Sequence, residues 1–250
     1  MDSRQAPARK CPALDSPLTG ASFEQKDARM SLARVLEPEV MDTEEDARAY
    51  DTMDHAAVNA AFCDDLLSHA PDLAYALDVG SGTCLLPIAL CRRVSTARIR
   101  AIDLSASMLD LGRSHVERAG LAGVIELALE DAKALPEPDR TFSAVVSNSI
   151  VHHIPEPAAV LREMVRVLRP GGLLFVRDLV RPQDEATLAA LVHTYAANDT
   201  AYQRALFDAS LRAALSLDEL REMLRSLGIP PECAQKTSDR HWTLAFHSPA

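Results

Sequence analysis

The sequence predicts an α/β protein whose core is a doubly wound, mainly parallel sheet. Between residues 74 and 180, short apolar segments alternate with segments of helical periodicity, the pattern of parallel strands joined by right-handed crossovers. The first apolar segment runs into a turn with two glycines, Gly80 and Gly82. After residue 180 the alternation lapses, and the remaining patterns are best explained as covers on the same sheet.

The elements of this core follow in order along the chain. The predicted strands cover residues 74–79, 97–103, 124–131, 142–149 and 173–179, and the predicted helices cover residues 84–94, 105–120 and 157–168. Ser105 is a suitable N-cap for the second helix, and Gly120 is a suitable stop. The Arg-Pro-Gly-Gly sequence at 169–172 is expected to end the third helix before the fifth strand begins.

Helical patterns flank the core on both sides. Residues 22–70 are predicted to form an N-terminal cover of two or three helices, the last of which is capped by Asp54. That helix is expected to place on one face Val58, Ala61, Phe62, Leu66 and Leu67. Residues 183–213 are predicted to form a two-helix insertion, followed by a helix over 216–227 and a hairpin within 233–247. Residues 1–21 are predicted to be a disordered tail, and residues 22–250 a single domain.

Composition narrows the function classes. The 250 residues carry a net charge of −10 and only 4% aromatic side chains. Such a chain lacks the positive charge and the stacking side chains of a typical nucleic-acid-binding protein. Much of the excess negative charge is concentrated in one segment, because residues 37–54 hold eight acids and one arginine. We expect a cytoplasmic protein without a membrane partner, since no apolar segment reaches spanning length and the first residues lack a secretory apolar region.

Cysteine usage predicts neither a disulfide framework nor a metal site. The five cysteines are scattered and form no Cys-x-x-Cys pair: Cys11, Cys63, Cys84, Cys91 and Cys233. Reduced thiols are therefore expected.

The glycine turn indicates a cofactor without phosphates. Leu85 stands where the dinucleotide fingerprint requires its third glycine, so a nicotinamide dinucleotide is disfavoured. Asp78 precedes the glycines and can face a cationic group. Asp103 ends the second strand 21 residues after Gly82, where a carboxylate accepts hydrogen bonds from ribose hydroxyls. Asp131, after the third strand, can accept from an adenine amino group, although it can equally cap a following helix.

Five segments in this order resemble class I S-adenosylmethionine-dependent methyltransferases, in particular the small-molecule branch that includes ubiquinone and menaquinone C-methyltransferases. They are ALDVGSGTC (76–84), AIDLSASML (101–109), EDAKALP (130–136), FSAVVSNSIVHHIPEP (142–157) and LREMVRVLRPGGLLFVRDL (161–179). The resemblance implies a Rossmann-like sheet of seven strands with the last antiparallel, a helical N-terminal cover and a helical insertion after strand five. It also implies S-adenosyl-L-methionine as cofactor and a small-molecule acceptor. Cys84 departs from the family, which prefers glycine there, and Ser143 stands where the family has aspartate.

The same resemblance assigns roles to individual residues. The turn of Asp78, Gly80, Ser81 and Gly82 should hold the methionine part of the cofactor, and Asp103 its ribose. The remaining cofactor contacts implied are Leu104 and Met108 beside the adenine, Asp131 and Ala132 at its amine, and Ser147 and Asn148 near the methionine end.

Three residues are candidates for a catalytic role. His152 and His153 follow the fourth strand at its carboxyl end, and histidine is suited to proton transfer near neutral pH. A role of this pair in the loop alone is the alternative. Tyr50 lies in the N-terminal cover, where its ring could contact a sulfonium group.

Two other function classes stay open at this stage. One is an S-adenosylmethionine-binding regulatory protein without transferase activity, and the other, less favoured, is a nicotinamide-dependent oxidoreductase. Arg177, Arg181 and Arg240 would favour an anionic acceptor if they converged on the pocket, whereas pairing with nearby acids is the alternative. The acceptor atom and the oligomeric state do not follow from the sequence.

Overall fold

The computed structural model describes residues 32–39, 43–53 and 56–250. Seven strands form its sheet: β1 (Ala76–Val79), β2 (Ile99–Asp103), β3 (Ile125–Leu129), β4 (Phe142–Asn148), β5 (Leu168–Leu179), β6 (Ala234–Lys236) and β7 (His241–His247). Their order across the sheet is β3-β2-β1-β4-β5-β7-β6. All pairs among β1 to β5 are parallel, and β7 runs antiparallel to both of its neighbours. The predicted mainly parallel, seven-stranded Rossmann-like sheet is confirmed.

Eight helices accompany the sheet in the described part of the chain: α1 (Glu44–Asp51), α2 (Ala56–Ser68), α3 (Leu85–Arg93), α4 (Ala106–Arg118), α5 (Pro157–Val167), α6 (Glu185–Tyr195), α7 (Ala201–Ala213) and α8 (Leu217–Ser226). A 3₁₀ turn, Val151–His153, follows β4 and is called the histidine turn below. Ser105 caps α4 by accepting a hydrogen bond from the Met108 amide, and Ser216 and Glu219 form the predicted capping box of α8. The predicted insertion of two helices after β5 is confirmed by α6 and α7.

Two predicted elements differ in the structure. Strand β5 begins at Leu168 and not at residue 173, because the backbone after α5 pairs with β4 at once and an irregularity in that pairing absorbs the Arg-Pro-Gly-Gly sequence. In the described part of the cover, α1 and α2 are helical, whereas residues 32–38, within the segment predicted to be helical, have no regular secondary structure. We call residues 32–39 the strap. Asp54 lies outside the described residues.

The core occupies both faces of the sheet. One cluster packs β4 and β5 against α5 and α8, and the other packs the opposite face against α2 and α3. Helix α2 contributes Phe62, Cys63 and Leu66, whereas Ala61, predicted on the same face, is exposed. A third cluster joins α6 and α7 to Leu32 of the strap. Among the described helices, none is long and apolar enough to cross a membrane.

The cysteines differ from expectation at one position. Cys63, Cys84 and Cys91 are free and buried, as predicted for reduced thiols. Cys233, in contrast, is disulfide-bonded. The prediction that all thiols are reduced is therefore wrong for Cys233.

Candidate active site

A cleft opens at the carboxyl ends of β1, β2 and β4. Parallel sheets place ligand sites at this edge because the strand order reverses there, here between β1 and β4. The predicted site residues that line the cleft are Tyr50, Gly80, Gly82, Asp103, Leu104, Met108, Asp131, Ala132, Asn148 and His153. Four predicted residues are not part of its wall: Asp78, Ser81, Ser147 and His152.

The glycine turn is fixed against β2 and closely packed on the other side. The amides of Gly80 and Ser81 both donate to the carbonyl oxygen of Ile102, at 2.9 Å each. Gly80 has a positive φ of 72°, and a Cβ added there would lie 2.1 Å from Ile150 Cγ2. Position 80 therefore admits only glycine, both for its backbone conformation and for the space beside it.

Asp103 links the turn to α4 and faces the cleft. One carboxylate oxygen accepts from the Gly82 amide at 2.8 Å, and the other accepts from the Ser105 amide at 2.9 Å. Burial raises the pKa of Asp103, although these amide donors act in the opposite direction. The side chain is thus held in one orientation at the cleft wall, with lone pairs left for a ligand.

Behind the turn lies a carboxyl group without a described partner. Asp78 is 1% exposed, and neither carboxyl oxygen has a hydrogen-bond partner among the described residues. Burial, with a smaller contribution from Asp103, raises its pKa to about 7, although Ser81 acts in the opposite direction. The two buried hydroxyls nearby are already used, because Ser81 donates to the Asp78 carbonyl and Ser147 to the Val79 carbonyl. Ser81 and Ser147 therefore brace the turn.

Asp131 closes a turn at the far end of the cleft and caps no helix. Its carboxylate accepts from the Lys133 amide at 2.9 Å and lies 3.1 Å from the Lys133 ammonium. Lys133 also pairs with Glu39 of the strap. Glu130 turns away to Arg100, an ion pair that fixes the end of β3. The strap thus reaches over the part of the cleft that Asp131 and Ala132 line.

Tyr50 places α1 over the glycine turn. A Cβ on Gly82 would lie 3.8 Å from Tyr50 Cε1, so the ring stands directly above that residue. Burial and the nearby aspartates raise the pKa of Tyr50 to about 12, and the phenol therefore stays protonated at neutral pH. Asp51, the next residue, pairs with His115, whose other ring nitrogen meets the Thr83 carbonyl at 3.0 Å.

The two histidines occupy different environments. His152 is buried, and its Nδ1 lies 2.5 Å from Asp178 of β5. Burial alone would lower the pKa of His152, but Asp178 outweighs it and the pKa is raised. His153 lines the cleft, and burial together with His152 lowers its pKa to about 3. Asp178 and the Pro38 carbonyl act in the opposite direction on His153 but have less effect.

The strap supplies site residues that sequence reasoning missed. Arg34 donates to the carbonyls of His152 (3.1 Å), Ile154 (3.0 Å) and Ala213 (2.6 Å), which ties the histidine turn to α7. Glu37 stands between the two histidines. No local periodicity marks these residues, and within the acidic segment 37–54 the two strap glutamates resemble any solvated acid.

Arg177, Arg181 and Arg240 do not converge on the cleft. Arg177 pairs with Asp65 and donates to Thr243, and Arg181 pairs with Glu219. Arg240 lies over a tyrosine ring, 3.3 Å from its centroid. These contacts favour the reading in which the arginines are structural.

Comparisons with known proteins agree with this geometry. Residues 77–176 match the family model described as "Methyltransferase domain". The ubiquinone/menaquinone biosynthesis C-methyltransferase UbiE of Enterobacter sp. (strain 638) is 32% identical over 164 residues, which cover 61% of this chain. The match spans 65% of that relative, slightly less than two thirds of its length.

Solved structures share the fold. A SAM-dependent methyltransferase from Aquifex aeolicus superposes with a TM-score of 0.61 at 18% identity, covering 81% of this chain and 97% of the other. A Methanococcus maripaludis structure, provisionally assigned as an S-adenosyl-L-methionine-dependent methyltransferase, gives a TM-score of 0.63 at 17% identity and covers 86% and 98%. In sequence motifs and in fold, the chain therefore resembles the class I S-adenosylmethionine-dependent methyltransferases of the small-molecule branch.

Proposed function

We propose that this protein transfers a methyl group from S-adenosyl-L-methionine to a small-molecule acceptor. The observation that carries the proposal is the charge of the cleft. Its wall holds the carboxylates of Glu39, Asp103 and Asp131 against one lysine, and Glu130, also in the wall, is compensated by Arg100. That lysine is already paired with Glu39. A pyrophosphate would be repelled here, whereas a ligand with a sulfonium and an ammonium group would be attracted.

The residues present fit this cofactor. The unpartnered carboxyl of Asp78 behind the turn is a buried acid that a nearby cationic group would stabilise in its charged form. Asp103 is oriented to accept from ribose hydroxyls, and Asp131 and Ala132 flank the space for an adenine amine. Leu104 and Met108 supply apolar surface beside it. Asn148, in the cleft wall, would contact the methionine part, whereas Ser81 and Ser147 would act only by bracing the turn.

When bound, S-adenosyl-L-methionine supplies a methyl group that is already activated by the sulfonium, and transfer is an in-line displacement. The protein is then required mainly to orient the reactants and exclude water. Ile150, Ile154 and Val160 form an apolar wall next to His153, which suits an acceptor with an apolar body. Tyr50 places its ring above the turn, where it can contact a cation.

Neither cleft-lining candidate is suited to act as a general base at neutral pH. A base works best when its pKa lies near the operating pH, whereas His153 has a pKa of about 3 and the Tyr50 phenol one of about 12. We therefore assign both to acceptor positioning. His152 is kept from the cleft and positions the turn through Asp178.

The test of cofactor placement is calorimetric titration of the Asp103→Ala variant with S-adenosyl-L-methionine. A hydrogen bond to a charged group contributes about 1.5–3 kcal/mol, so affinity should fall roughly 10- to 150-fold. Asp110→Ala, which removes an exposed carboxylate of α4, is the matched control and should bind normally. Unchanged affinity in a folded Asp103→Ala protein would show that the ribose lies elsewhere.

The acceptor is tested by labelled-methyl transfer to a panel of small molecules. The name of the Enterobacter relative makes quinone precursors the first compounds to try. Tight cofactor binding without transfer to any compound would favour a regulatory protein, and saturable binding of NADH would favour an oxidoreductase. A cytoplasmic location stays a prediction.

A further inference from the structure

The histidine turn and the strap bring three metal-ligating side chains together at the edge of the cleft. Glu37 Oε1 lies 3.6 Å from His152 Nε2 and 3.1 Å from His153 Nδ1. The three atoms all lie within 4.8 Å of one another. These residues come from segments more than 100 positions apart, so no sequence spacing indicates them.

We propose that Glu37, His152 and His153 bind a divalent first-row transition metal of the Zn²⁺ type. In a tetrahedral site with bonds of about 2.0–2.1 Å, ligand atoms stand roughly 3.3 Å apart. The two separations from Glu37 lie on either side of that value. Two imidazoles and one carboxylate are also the ligand set of many zinc sites that keep an open position.

Two of the three ligand atoms are buried without a hydrogen-bond partner. Within the described residues, neither Glu37 Oε1 nor His153 Nδ1 makes a hydrogen bond, although the two atoms lie 3.1 Å apart as an ion pair. The Glu37 side chain is only 8% exposed, and its other oxygen accepts from Ser210 at 3.3 Å. Buried polar atoms are nearly always satisfied, and one cation between these atoms would satisfy both.

The surroundings of the cluster are those of metal sites. Asp178 Oδ1 lies 2.5 Å from His152 Nδ1, which keeps a proton on that nitrogen and directs Nε2 toward Glu37. The second Asp178 oxygen accepts from the Val151 amide at 2.5 Å. Arg34 holds the His152 carbonyl at 3.1 Å. Metal-bound histidines typically donate their other ring nitrogen to a carboxylate in this way, which fixes the tautomer and the ring orientation.

The position of the cluster indicates what else the metal would bind. His153 is part of the cleft wall, so the open coordination position would face the cleft. Water or an oxygen of the acceptor, such as a hydroxyl or carboxylate, suits that position. This last step rests on the proposed function, whereas metal binding itself does not.

The experiment uses the full chain, stripped with a chelator, and needs neither S-adenosyl-L-methionine nor an acceptor. Titration with Zn²⁺ by calorimetry should give one ion per chain with micromolar or tighter affinity, and Co²⁺ should give visible bands of nitrogen and oxygen ligation. Glu37→Gln and His153→Gln should each lower affinity at least tenfold. Glu156→Gln, an exposed carboxylate just after the histidine turn, is the matched control and should bind as the unmodified protein does.

Three outcomes would overturn the proposal. They are the absence of stoichiometric binding, equal affinity in the Glu37→Gln and His153→Gln proteins, and a Co²⁺–thiolate charge-transfer band, which would place the ion on a cysteine. If no ion binds stoichiometrically, the cluster is only an ion pair between Glu37 and a protonated histidine. Because the titration contains no cofactor, failure here leaves the methyltransferase proposal untouched, and failure of the Asp103→Ala test leaves this one untouched.

Discussion

The two sides of the cleft are held in place by different kinds of contact. On the turn side, residues 78–82 and 103–108 are joined by main-chain bonds between adjacent strands and by Asp103, whose partners lie within 21 positions. On the cover side, the strap and the histidine turn are joined by side chains whose partners lie more than 90 positions away, as in Lys133–Glu39 and Arg34–His152. The turn side is thus specified locally, and the cover side by charges that meet only after folding.

The largest expected effect lies where the two sides meet. Gly80→Ala would bring a Cβ to 2.1 Å from Ile150 at the edge of the histidine turn, in a left-handed conformation. Overpacking costs about 1–3 kcal/mol and the conformation about 1–2 kcal/mol, so the free energy of unfolding should fall by roughly 2–5 kcal/mol in urea titrations. Gly171→Ala is the matched control, because Gly171 has a φ of 74° and no atom within 4 Å of an added Cβ. Equal losses in both variants would show that Ile150 yields to the new methyl group.

Asp78 should make the stability of the turn side depend on pH. Its folded pKa is raised from 3.8 to about 7, so between these values the folded state binds more protons than the unfolded state. The contribution of Asp78 to the free energy of unfolding is therefore fully present below pH 4. It is lost as the pH rises through 7, and the loss is about 4 kcal/mol at most. Thermal and urea unfolding of the ligand-free protein should show this decline, and Asp78→Asn should flatten it. The same slope in both proteins would mean that Asp78 is ionised throughout.

The same division separates the parts of the structure that the sequence could predict from the parts that it could not. Gly80, Gly82 and Asp103 could be assigned to one site because strand ends in a parallel sheet fix where such residues meet. Arg34 and Glu37 could not, since their roles depend on the placement of a strap without periodicity. The fold of 74–180 was accessible from the alternation of strands and helices. In contrast, residues 32–38 of the strap lie in a segment expected to be helical and have no regular secondary structure.

Arg34 tests whether the cover side moves independently. Arg34→Ala removes donors to the carbonyls of His152, Ile154 and Ala213. At about 1.5–3 kcal/mol for hydrogen bonds to a charged group, amide exchange in residues 151–154 should rise roughly tenfold or more. Residues 77–83 should keep their protection, and cofactor affinity should change less than twofold. Arg204→Ala is the control, because Arg204 donates to the Asp199 carbonyl, which lies next to its own helix. Equal loss of protection on both sides would contradict the division.

The smallest expected effect concerns the residue that departs from the family's glycine. Cys84 caps α3 in a left-handed conformation, with φ of 62°, and is completely buried. Burial raises the pKa of its thiol to about 12, so the thiol is not a reactive one. Its sulfur occupies space that α4 leaves open at Gly112, where an added Cβ would lie 2.8 Å from Cys84 Sγ. Cys84 and Gly112 therefore form a complementary pair.

A double-mutant cycle in urea tests this pair. Gly112→Ala should destabilise the protein by about 1–2 kcal/mol, because overpacking against Cys84 outweighs the helix propensity gained. Cys84→Gly should be nearly neutral, since relief of the left-handed conformation offsets the lost packing. In the double variant the contact is absent and alanine favours the helix, so stability should match or exceed that of the unmodified protein by up to about 1 kcal/mol. The resulting coupling of roughly 1–3 kcal/mol would show that a departure on the turn side is compensated by one neighbouring residue. Additive effects would mean that the protein tolerates Cys84 without Gly112. The structure of the turn side would then be less strictly determined by its neighbouring residues than its hydrogen bonds indicate.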